Sequence, residues 1–420
     1  MGKGCGWWVI LLLIGLAAAC APPSGFQLPD DPMARVLGRR VGRIVIVGGD
    51  GNLYLTDQSG LRRQALTEDA GPTAEGSRAY RLPAWSPDGQ RLAVFEVLSA
   101  ETTTTRVIGL ELLAKRPPIR WVWGEWKGEE PALLRWLDSR SLLALSRTGT
   151  GARAGYALRV LEAEGSQVVL AQGTPLFFSW NPARRMMALH REGRYLELRT
   201  LDREETERRS DHTAAFSAPA WSPDGRWLVW AEQEGDAGVL RLEGVDPPTS
   251  RTVLTFTGGV AFAWSPTGRY LALITDPTTT LPRIGPLDLY DVGSGQQIRL
   301  DDQSNLALFW SHDGRRLLTF RLLEIDPASG QVLLQARVYE PPGKGARELG
   351  TFIPTRSFLE VLAFFDVFQS SASLWSPDNR FVLIAAMESG GEAGIYALHT
   401  SGWLEPRRLG EGVLAFWSPR

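Results

Sequence analysis

Trp85-Ser86-Pro87-Asp88-Gly89 decides the fold, because copies of this stretch recur to the end of the chain. Intact or near-intact copies begin at Trp85, Trp221, Trp264, Trp310 and Trp375. Degenerate copies begin at Trp136 and Trp180, and a truncated copy begins at Trp417. A repeat of roughly 40–50 residues is typical of stacked or propeller architectures built from one supersecondary unit.

Each copy of the turn lies between two short apolar runs, which in the first copy are LPA (82–84) and RLAVF (91–95). Pro presets a central turn position, Asp bonds the local backbone and Gly accepts positive φ, so each copy predicts an antiparallel hairpin. Two more runs follow, for example YALRVLEAEG (156–165) and SQVVLA (166–171). Four such strands predict one propeller blade.

The sequence therefore predicts an all-β protein, an eight-bladed β-propeller of four-stranded antiparallel blades. Seven blades is the alternative, if the copy at Trp136 or Trp180 is not a separate blade. RIVIVGG (43–49) has no Trp strand before it, and VLAFWSPR (413–420) is a Trp strand with nothing after it. We expect the C-terminal strand to close the ring as the inner strand of the first blade, which removes two sheet edges. We expect the repeat tryptophans to pack blade against blade.

The WSPDG turn with its apolar strand, together with strands such as LDLYDVGSG (287–295), resembles the TolB-type propeller repeat. That repeat also occurs in the propeller domains of prolyl-oligopeptidase-like peptidases. The resemblance covers about residues 43–420 and implies the fold. It implies neither family's activity, because such rings are scaffolds for many tasks. We do not expect TolB's separate N-terminal domain, since only about twenty residues separate Cys20 from the first strand.

The first residues of the sequence predict a targeting segment. Residues 1–20 resemble a bacterial lipoprotein signal, with an apolar core (7–19) that ends in small residues directly before Cys20. We expect Cys20 to be acylated, residues 21–42 to form a tether, and residues 43–420 to form the propeller outside the membrane. The location would be the periplasm or the outer surface, with the chain anchored to the cell envelope by its N-terminal lipid. The alternative is an ordinary secretory signal with Cys20 incidental.

The charge balance argues against a nucleic-acid partner. The chain has 45 basic and 47 acidic residues, and no basic stripe stands out. The other cysteine, Cys5, lies in the signal, so we expect no disulfide in the mature ring. We also expect no cofactor.

No catalytic or metal-binding set is evident. The motif aspartates could form a ring of carboxylates, but each sits where a turn needs Asp; they are Asp88, Asp224, Asp313 and Asp378. The histidines are not paired at metal-ligand spacing; they are His190, His212, His312 and His399. We therefore predict no metal site and expect a protein that is not an enzyme, although the sequence leaves this open.

Two aromatic segments exceed the repeat. Trp121, Trp123 and Trp126 alternate on a connector strand, where they either pack on the next blade or stack on sugar rings. The second segment is an insertion at 351–373, where Ser357 and Glu360 predict a capping box and a helix to about Phe368. Its apolar residues include Phe358, Phe364, Phe365 and Phe368. This helix either plugs the channel mouth or packs on a blade, or it forms a surface for a partner or a membrane.

The sequence thus predicts a membrane-tethered extracytoplasmic propeller that acts as a non-catalytic binding or scaffold module. The expected partner is a protein or envelope component, and a glycan is possible. The candidate binding surface comprises the two aromatic segments. The alternative is a glycan-processing hydrolase or lyase with its site at the channel mouth.

Overall fold

The computed structural model describes residues 42–112, 118–151, 154–162, 165–201 and 205–419, which contain 31 strands and two short helices. The predicted signal 1–20, including Cys20, and the tether to residue 41 lie outside the described residues.

The strands are short and follow one another in hairpins. In the first half of the chain they are β1 (Ile44–Val47), β2 (Leu53–Thr56), β3 (Gln64–Ala65), β4 (Gly71–Thr73), β5 (Gly76–Trp85), β6 (Arg91–Ser99), β7 (Thr104–Glu111), β8 (Ile119–Lys127), β9 (Glu129–Trp136), β10 (Ser141–Thr148), β11 (Gly155–Glu162), β12 (Gln167–Gly173), β13 (Leu176–Asn181), β14 (Met186–Arg191), β15 (Tyr195–Thr200) and β16 (Thr206–Ser210). In the second half they are β17 (Ala220–Trp221), β18 (Trp227–Glu234), β19 (Ala237–Val245), β20 (Pro248–Phe256), β21 (Gly259–Trp264), β22 (Tyr270–Asp276), β23 (Gly285–Asp291), β24 (Gln297–Trp310), β25 (Leu317–Ile325), β26 (Val332–Tyr339), β27 (Ala346–Phe352), β28 (Phe381–Met387), β29 (Ala393–His399), β30 (Arg407–Glu411) and β31 (Leu414–Trp417). The helices are α1 (Arg356–Ala363) and α2 (Phe365–Phe368).

The repeated turn is held by its own side chains. Ser86 Oγ accepts a hydrogen bond from the N–H of Arg91 (2.9 Å) and donates one to Asp88 Oδ1 (2.6 Å). The same Asp88 oxygen accepts the N–H of Gln90 (2.9 Å), and Gly89 has φ +68°. The same Ser–Asp hydrogen bond recurs in the copies at Ser222–Asp224, Ser311–Asp313 and Ser376–Asp378. The motif aspartates therefore stabilise their own turns.

The strands form seven antiparallel sheets within the described ranges. Four have four strands: β31-β1-β2-β3, β9 to β12, β13 to β16 and β17 to β20. The others comprise five strands (β4 to β8), seven strands (β21 to β27) and three strands (β28 to β30). The repeat tryptophan lies at or next to the end of the innermost strand of each four-stranded sheet. We call the side of the ring with these tryptophans and turns the Trp face, and the opposite side the connector face.

The ends of the chain meet in one sheet. In β1, Ile44 pairs with Thr56 of β2 on one side and with Trp417 of β31 on the other. The C-terminal strand is thus the inner strand of the first sheet, and it closes the ring. The predicted all-β propeller closed by its C-terminal strand is confirmed.

The seven-stranded sheet joins two repeats through β24. The first half of this 14-residue strand pairs with β23, and its second half, which ends at Trp310, pairs with β25. One strand is therefore both the outer strand of one repeat and the inner strand of the next. The sheets contain seven of the eight predicted Trp strands, and Trp375 lies beside β28. The number of eight blades stays a prediction.

The inner strand beside β28 is interrupted. Pro354 bridges Ala386 at one end of β28, and Trp375 bridges Val382 near the other. The strand position is therefore occupied at both ends, while residues 355–373 leave it. Since β27 extends to Phe352, the insertion begins about four residues later than predicted. We call residues 355–373 the channel insertion.

Candidate functional site

The repeat tryptophans link neighbouring blades. The indole Nε1 donates a hydrogen bond to the carbonyl of the residue preceding the repeat tryptophan of the previous blade; these pairs are Trp85 to Phe416 (3.2 Å), Trp136 to Ala84 (3.0 Å), Trp264 to Ala220 (3.1 Å), Trp310 to Ala263 (3.3 Å) and Trp375 to Phe309 (3.0 Å). Among the described residues, the Nε1 atoms of Trp180, Trp221 and Trp417 are buried without a partner. The predicted blade-to-blade packing thus includes a directional hydrogen bond.

The channel insertion enters the ring. Its first helix begins after Thr355, whose Oγ1 accepts the N–H of Phe358 (3.2 Å). The helix is therefore capped by Thr355, and the predicted cap at Ser357 is wrong. The second helix, α2, contacts β13, β21 and β24, the inner strands that carry Trp180, Trp264 and Trp310. Helix α2 therefore lies in the channel between inner strands of several repeats.

The phenylalanines of the insertion pack inside the ring. Phe358 and Phe365 are each 1% exposed, with Phe358 5.7 Å from the ring of Phe320 and Phe365 6.4 Å from that of Phe309. Phe364 and Phe368 are half-buried. Helix α1 buries one face and exposes Arg356 and Glu360 on the other. Helix α2 buries Phe365 and Asp366 in the channel. The proposed use of Phe358 and Phe365 as an exposed binding surface is therefore corrected: both are core residues.

The connector tryptophans are also packed against the next blade. Trp123 is 2% exposed and meets the ring of Trp136 edge to face at 5.7 Å. Trp126 Nε1 donates to Gln167 Oε1 (3.0 Å), and the Arg159 guanidinium lies 4.6 Å from the Trp126 ring. Trp121, half-buried, lies 6.3 Å from Trp123. Trp123 and Trp126 are therefore not available to stack on a sugar.

A buried carboxyl lies on α2. Asp366 is 9% exposed, and burial raises its pKa to about 6, while hydrogen bonds from the Ala218 N–H and the Ser217 hydroxyl oppose the shift. Arg283 lies near enough to attract the carboxylate, and burial lowers the pKa of Arg283 itself. The insertion thus places an acid with a strongly shifted pKa in the channel.

His190 lies beside the same polar group. Its Nδ1 is 2.8 Å from the Ser217 carbonyl, so Nδ1 carries the proton, and Nε2 accepts from the Thr213 hydroxyl at 2.9 Å. The ring stacks on Phe216 at 4.1 Å, and burial lowers the pKa of His190 to about 4. Both nitrogens are satisfied, so His190 is a neutral structural residue.

A cavity of about 360 Å³ lies on the Trp face. Its apolar lining includes six repeat tryptophans: Trp85, Trp136, Trp264, Trp310, Trp375 and Trp417. Its polar lining is the end of the channel insertion, from Gln369 to Ser373, and His312. No Asp, Glu, Lys or Arg lines it in the part of the chain that the structure describes. Such a mixture suits a neutral ligand with an apolar face and hydrogen-bonding groups on one side.

The Ser373–His312 pair in this cavity lacks the geometry of a nucleophile and base. Ser373 Oγ lies 3.4 Å from His312 Nε2, and the same nitrogen lies 3.2 Å from the Trp375 carbonyl. A carbonyl only accepts, so Nε2 carries the proton and is not free to take one from Ser373. Across the described ranges, no group of three or more His, Cys, Asp or Glu side chains could hold a metal ion. Neither helix of the described ranges has the length and apolarity needed to cross a membrane.

Solved structures share this fold at low sequence identity. Dihydro-heme d1 dehydrogenase NirN in complex with DHE is 15% identical, with a TM-score of 0.53, and the match covers 95% of this chain and 78% of that protein. A eukaryotic initiation factor is 13% identical, with a TM-score of 0.53 and coverages of 91% and 99%. TolB from Acinetobacter baumannii is 15% identical, with a TM-score of 0.38, and the match spans 76% of this chain but only 65% of TolB. No family model and no curated protein matches the chain. The likenesses to the dehydrogenase and to the initiation factor support the propeller fold and leave function to the site.

The cavity is the feature that the sequence did not predict. Its walls come from tryptophans assigned to packing, and residues 369–373 have no recurring motif. Only the position of the inner strands around one axis brings them together.

Proposed function

We propose that this protein is a non-catalytic recognition module, held outside a membrane by the predicted lipid on Cys20, that binds a protein segment or another envelope component in the Trp-face cavity. The proposal keeps the predicted role but moves the binding site. The aromatic segments first considered for it are largely packed in the ring, whereas the cavity lies on the Trp face.

The lining of this cavity carries the proposal. Six tryptophans provide apolar and π surface. The indole N–H groups of five of them already donate to backbone carbonyls of neighbouring blades; these are Trp85, Trp136, Trp264, Trp310 and Trp375. The six tryptophans are each at most 9% exposed, so a ligand would meet the small exposed parts of their rings on one side and the amide and hydroxyl groups of residues 369–373 on the other. Such a lining favours binding of an uncharged peptide segment that has apolar side chains and free backbone N–H and C=O groups.

The same lining argues against the glycan-processing alternative. Glycoside hydrolysis ordinarily uses a pair of carboxylates flanking the bond, and the described cavity residues include none. In the Ser373–His312 pair the proton lies on His312 Nε2, so this nitrogen cannot accept the proton of the Ser373 hydroxyl. The channel, the other place for a site, is occupied by α2.

A cavity-filling variant tests the proposal. Ser370 is exposed and lines the cavity, so Ser370→Trp fills it without replacing a buried group. Ala328→Trp introduces the same side chain on an exposed loop and is the matched control. Each protein would be captured from native membranes after mild cross-linking. We expect one partner to be recovered with the wild type and with Ala328→Trp, and to be lost with Ser370→Trp. Equal recovery with all three would place the binding site elsewhere.

A second measurement separates binding from catalysis. Elemental analysis of the purified protein and turnover on a panel of glycans test the alternative directly. Turnover that Ser370→Trp abolishes would overturn the non-catalytic proposal. Quenching or enhancement of Trp fluorescence by a glycan without turnover would identify the envelope component as a sugar.

A further inference from the structure

One tryptophan points away from the protein. Trp403 is 89% exposed, the highest value among the large hydrophobic residues of the described ranges, and Leu404 beside it is 37% exposed. Leu61, at 67%, is the next most exposed. Single exposed leucines are ordinary, but a nearly bare indole next to an exposed leucine is uncommon.

The loop that carries Trp403, residues 400–406, is built against its neighbours. Arg347 Nη1 donates to the Thr400 carbonyl (2.8 Å), and Gly402 has φ +70°. A Cβ on Gly402 would lie 2.7 Å from the Glu348 carbonyl oxygen, so the loop is pressed onto the preceding blade. The Trp403 N–H lies 3.3 Å from Ser401 Oγ. Trp403 is therefore held outward by a supported turn.

Leu61 lies on the neighbouring blade, in a loop fixed to the same outer strand. The Gln58 carbonyl accepts a hydrogen bond from Arg407 Nη1 (2.9 Å). A Cβ on Gly60 would lie 2.9 Å from Leu409 Cα, so the two blades touch at this point. The loops carrying Leu61 and Trp403 therefore flank β30, at the outer rim of the ring closure.

Both loops lie on the Trp face. Thr56, which ends the strand before the Leu61 loop, pairs with Ile44, and Ile44 pairs with Trp417. The Leu61 loop therefore begins at the end of the sheet where Trp417 lies. The Trp403 loop follows His399, which pairs with Phe381 directly after the repeated turn at Trp375. We call Leu61, Trp403 and Leu404 the rim patch.

The chain that leads to the predicted anchor joins on this same face. The Arg43 N–H donates to Ser418 Oγ (2.9 Å), next to the end of β31, so the described chain begins at the Trp face. A lipid on Cys20 would be joined to the ring at the face that carries the rim patch. A second membrane contact would add to the attachment that the lipid provides.

The charges near the patch have both signs. Arg62 and Arg63 are exposed next to Leu61, while Glu405 is exposed next to Leu404. The balance is mixed, so the contact would rest chiefly on the indole and the leucines. Tryptophan is enriched at membrane–water interfaces because its ring is amphipathic.

We infer that the rim patch is a lipid-contact surface, with Trp403, Leu404 and Leu61 lying in the interface of the bilayer to which the chain is tethered. The inference rests on the proposed membrane tether and adds a second, independent attachment. It also sets the orientation of the ring, with its closure side toward the membrane.

Site-specific fluorescence tests this orientation. The mature full-length protein is predicted to contain no free thiol, so Trp403→Cys and Leu61→Cys each create one site for an environment-sensitive dye. Ile325→Cys is the matched control, because Ile325 is 49% exposed and follows the connector-face end of β25. The lipidated proteins would be reconstituted on vesicles of phosphatidylethanolamine and phosphatidylglycerol, with and without brominated acyl chains.

We expect brominated lipid to reduce the dye fluorescence roughly twofold at positions 403 and 61, and to leave position 325 unchanged, because the interface lies within quenching range of bromine. Mass spectrometry of the N-terminal peptide reports acylation separately. Acylated protein whose dye at 403 is not quenched would overturn the rim patch while the tether stands. Absence of the acyl group at Cys20 would overturn the tether. A Cys5→Ser/Cys20→Ser form of the Trp403→Cys variant again has one thiol, and quenching of its dye on added vesicles would keep the rim patch.

Discussion

The channel insertion and the Trp403 loop both carry large aromatic residues, but the insertion buries Phe358 and Phe365 whereas the loop exposes Trp403. The insertion has four phenylalanines in eleven residues, an attractive candidate for a partner surface, and Phe358 and Phe365 are buried. The loop has one tryptophan between a glycine and a leucine, and that side chain is nearly bare. The comparison shows that a segment with many apolar residues is more readily buried than used as a binding surface. Whether a single aromatic residue is exposed depends instead on how its backbone packs on neighbouring elements.

The largest expected difference between the two regions is in stability. Phe365→Ala should lower the free energy of unfolding by about 3–5 kcal/mol, because it leaves a cavity in the packed channel. Trp403→Ala should change it by less than about 0.5 kcal/mol, since the side chain packs on little. Urea unfolding of both variants measures the contrast. Comparable effects at the two positions would show that the insertion does not fill the channel as described.

The charge on the channel insertion sharpens the contrast through pH. The folded pKa of Asp366 is raised to about 6 from an ordinary value of 3.8, so the folded state holds more protons than the unfolded state between these values. Stability from this group therefore falls as pH rises from about 4 to 6, by at most about 3 kcal/mol. Asp366→Asn should be more stable than the wild type at pH 7 and nearly equal to it at pH 4.

His190 serves as the control, because its effect has the opposite sign. Its folded pKa is lowered to about 4 from 6.5, so stability from this group is lost as pH falls through that range. With Asp366→Asn, the pH dependence from His190 is no longer opposed, and the unfolding free energy should rise with pH between about 4 and 6 more steeply than in the wild type. A variant with a flatter profile than the wild type would contradict the assignment of Asp366.

Two kinds of tryptophan allow a smaller and more local test. Trp136→Phe removes the indole N–H that bonds the Ala84 carbonyl across two blades (3.0 Å). The expected loss is about 0.5–1.5 kcal/mol, the contribution of one hydrogen bond. Trp403→Phe keeps a ring on the surface and should leave the unfolding midpoint in place. If Trp136→Phe were equally silent, the hydrogen bonds between blades would contribute little to the ring.

The repeat could be predicted from sequence because every link in it is local. Ser86, Asp88 and Gly89 form their turn within five residues, and the alternation of the following strand needs only its neighbours. The place of the insertion could not be predicted, because helix α2 finds its contacts on β13, β21 and β24, far away in sequence. The cavity has the same origin. Residues 369–373 acquire tryptophan neighbours only when the ring closes.

The exposure of Trp403 was hidden for a related reason. A lone tryptophan among eight repeat tryptophans has no periodic signal of its own. Its position follows from Gly402, whose backbone lies against Glu348 on another blade. A feature that depends on one contact between blades has no pattern along the chain.

The smallest expected effect is the change in folding stability when the rim patch is substituted. This effect is also the most informative about function. The double substitution Leu61→Ser and Trp403→Ser should change the unfolding free energy by less than about 0.5 kcal/mol per site, because both side chains are mainly exposed. A fold-neutral change at two conspicuous apolar residues means that folding does not require them. Reduced vesicle retention of this stable variant, with retention restored in Trp403→Tyr, would then assign the apolar surface to the membrane. A double variant that unfolds would instead make Leu61 and Trp403 part of the contact between the first and last blades, and the comparison with Phe365 would lose its basis.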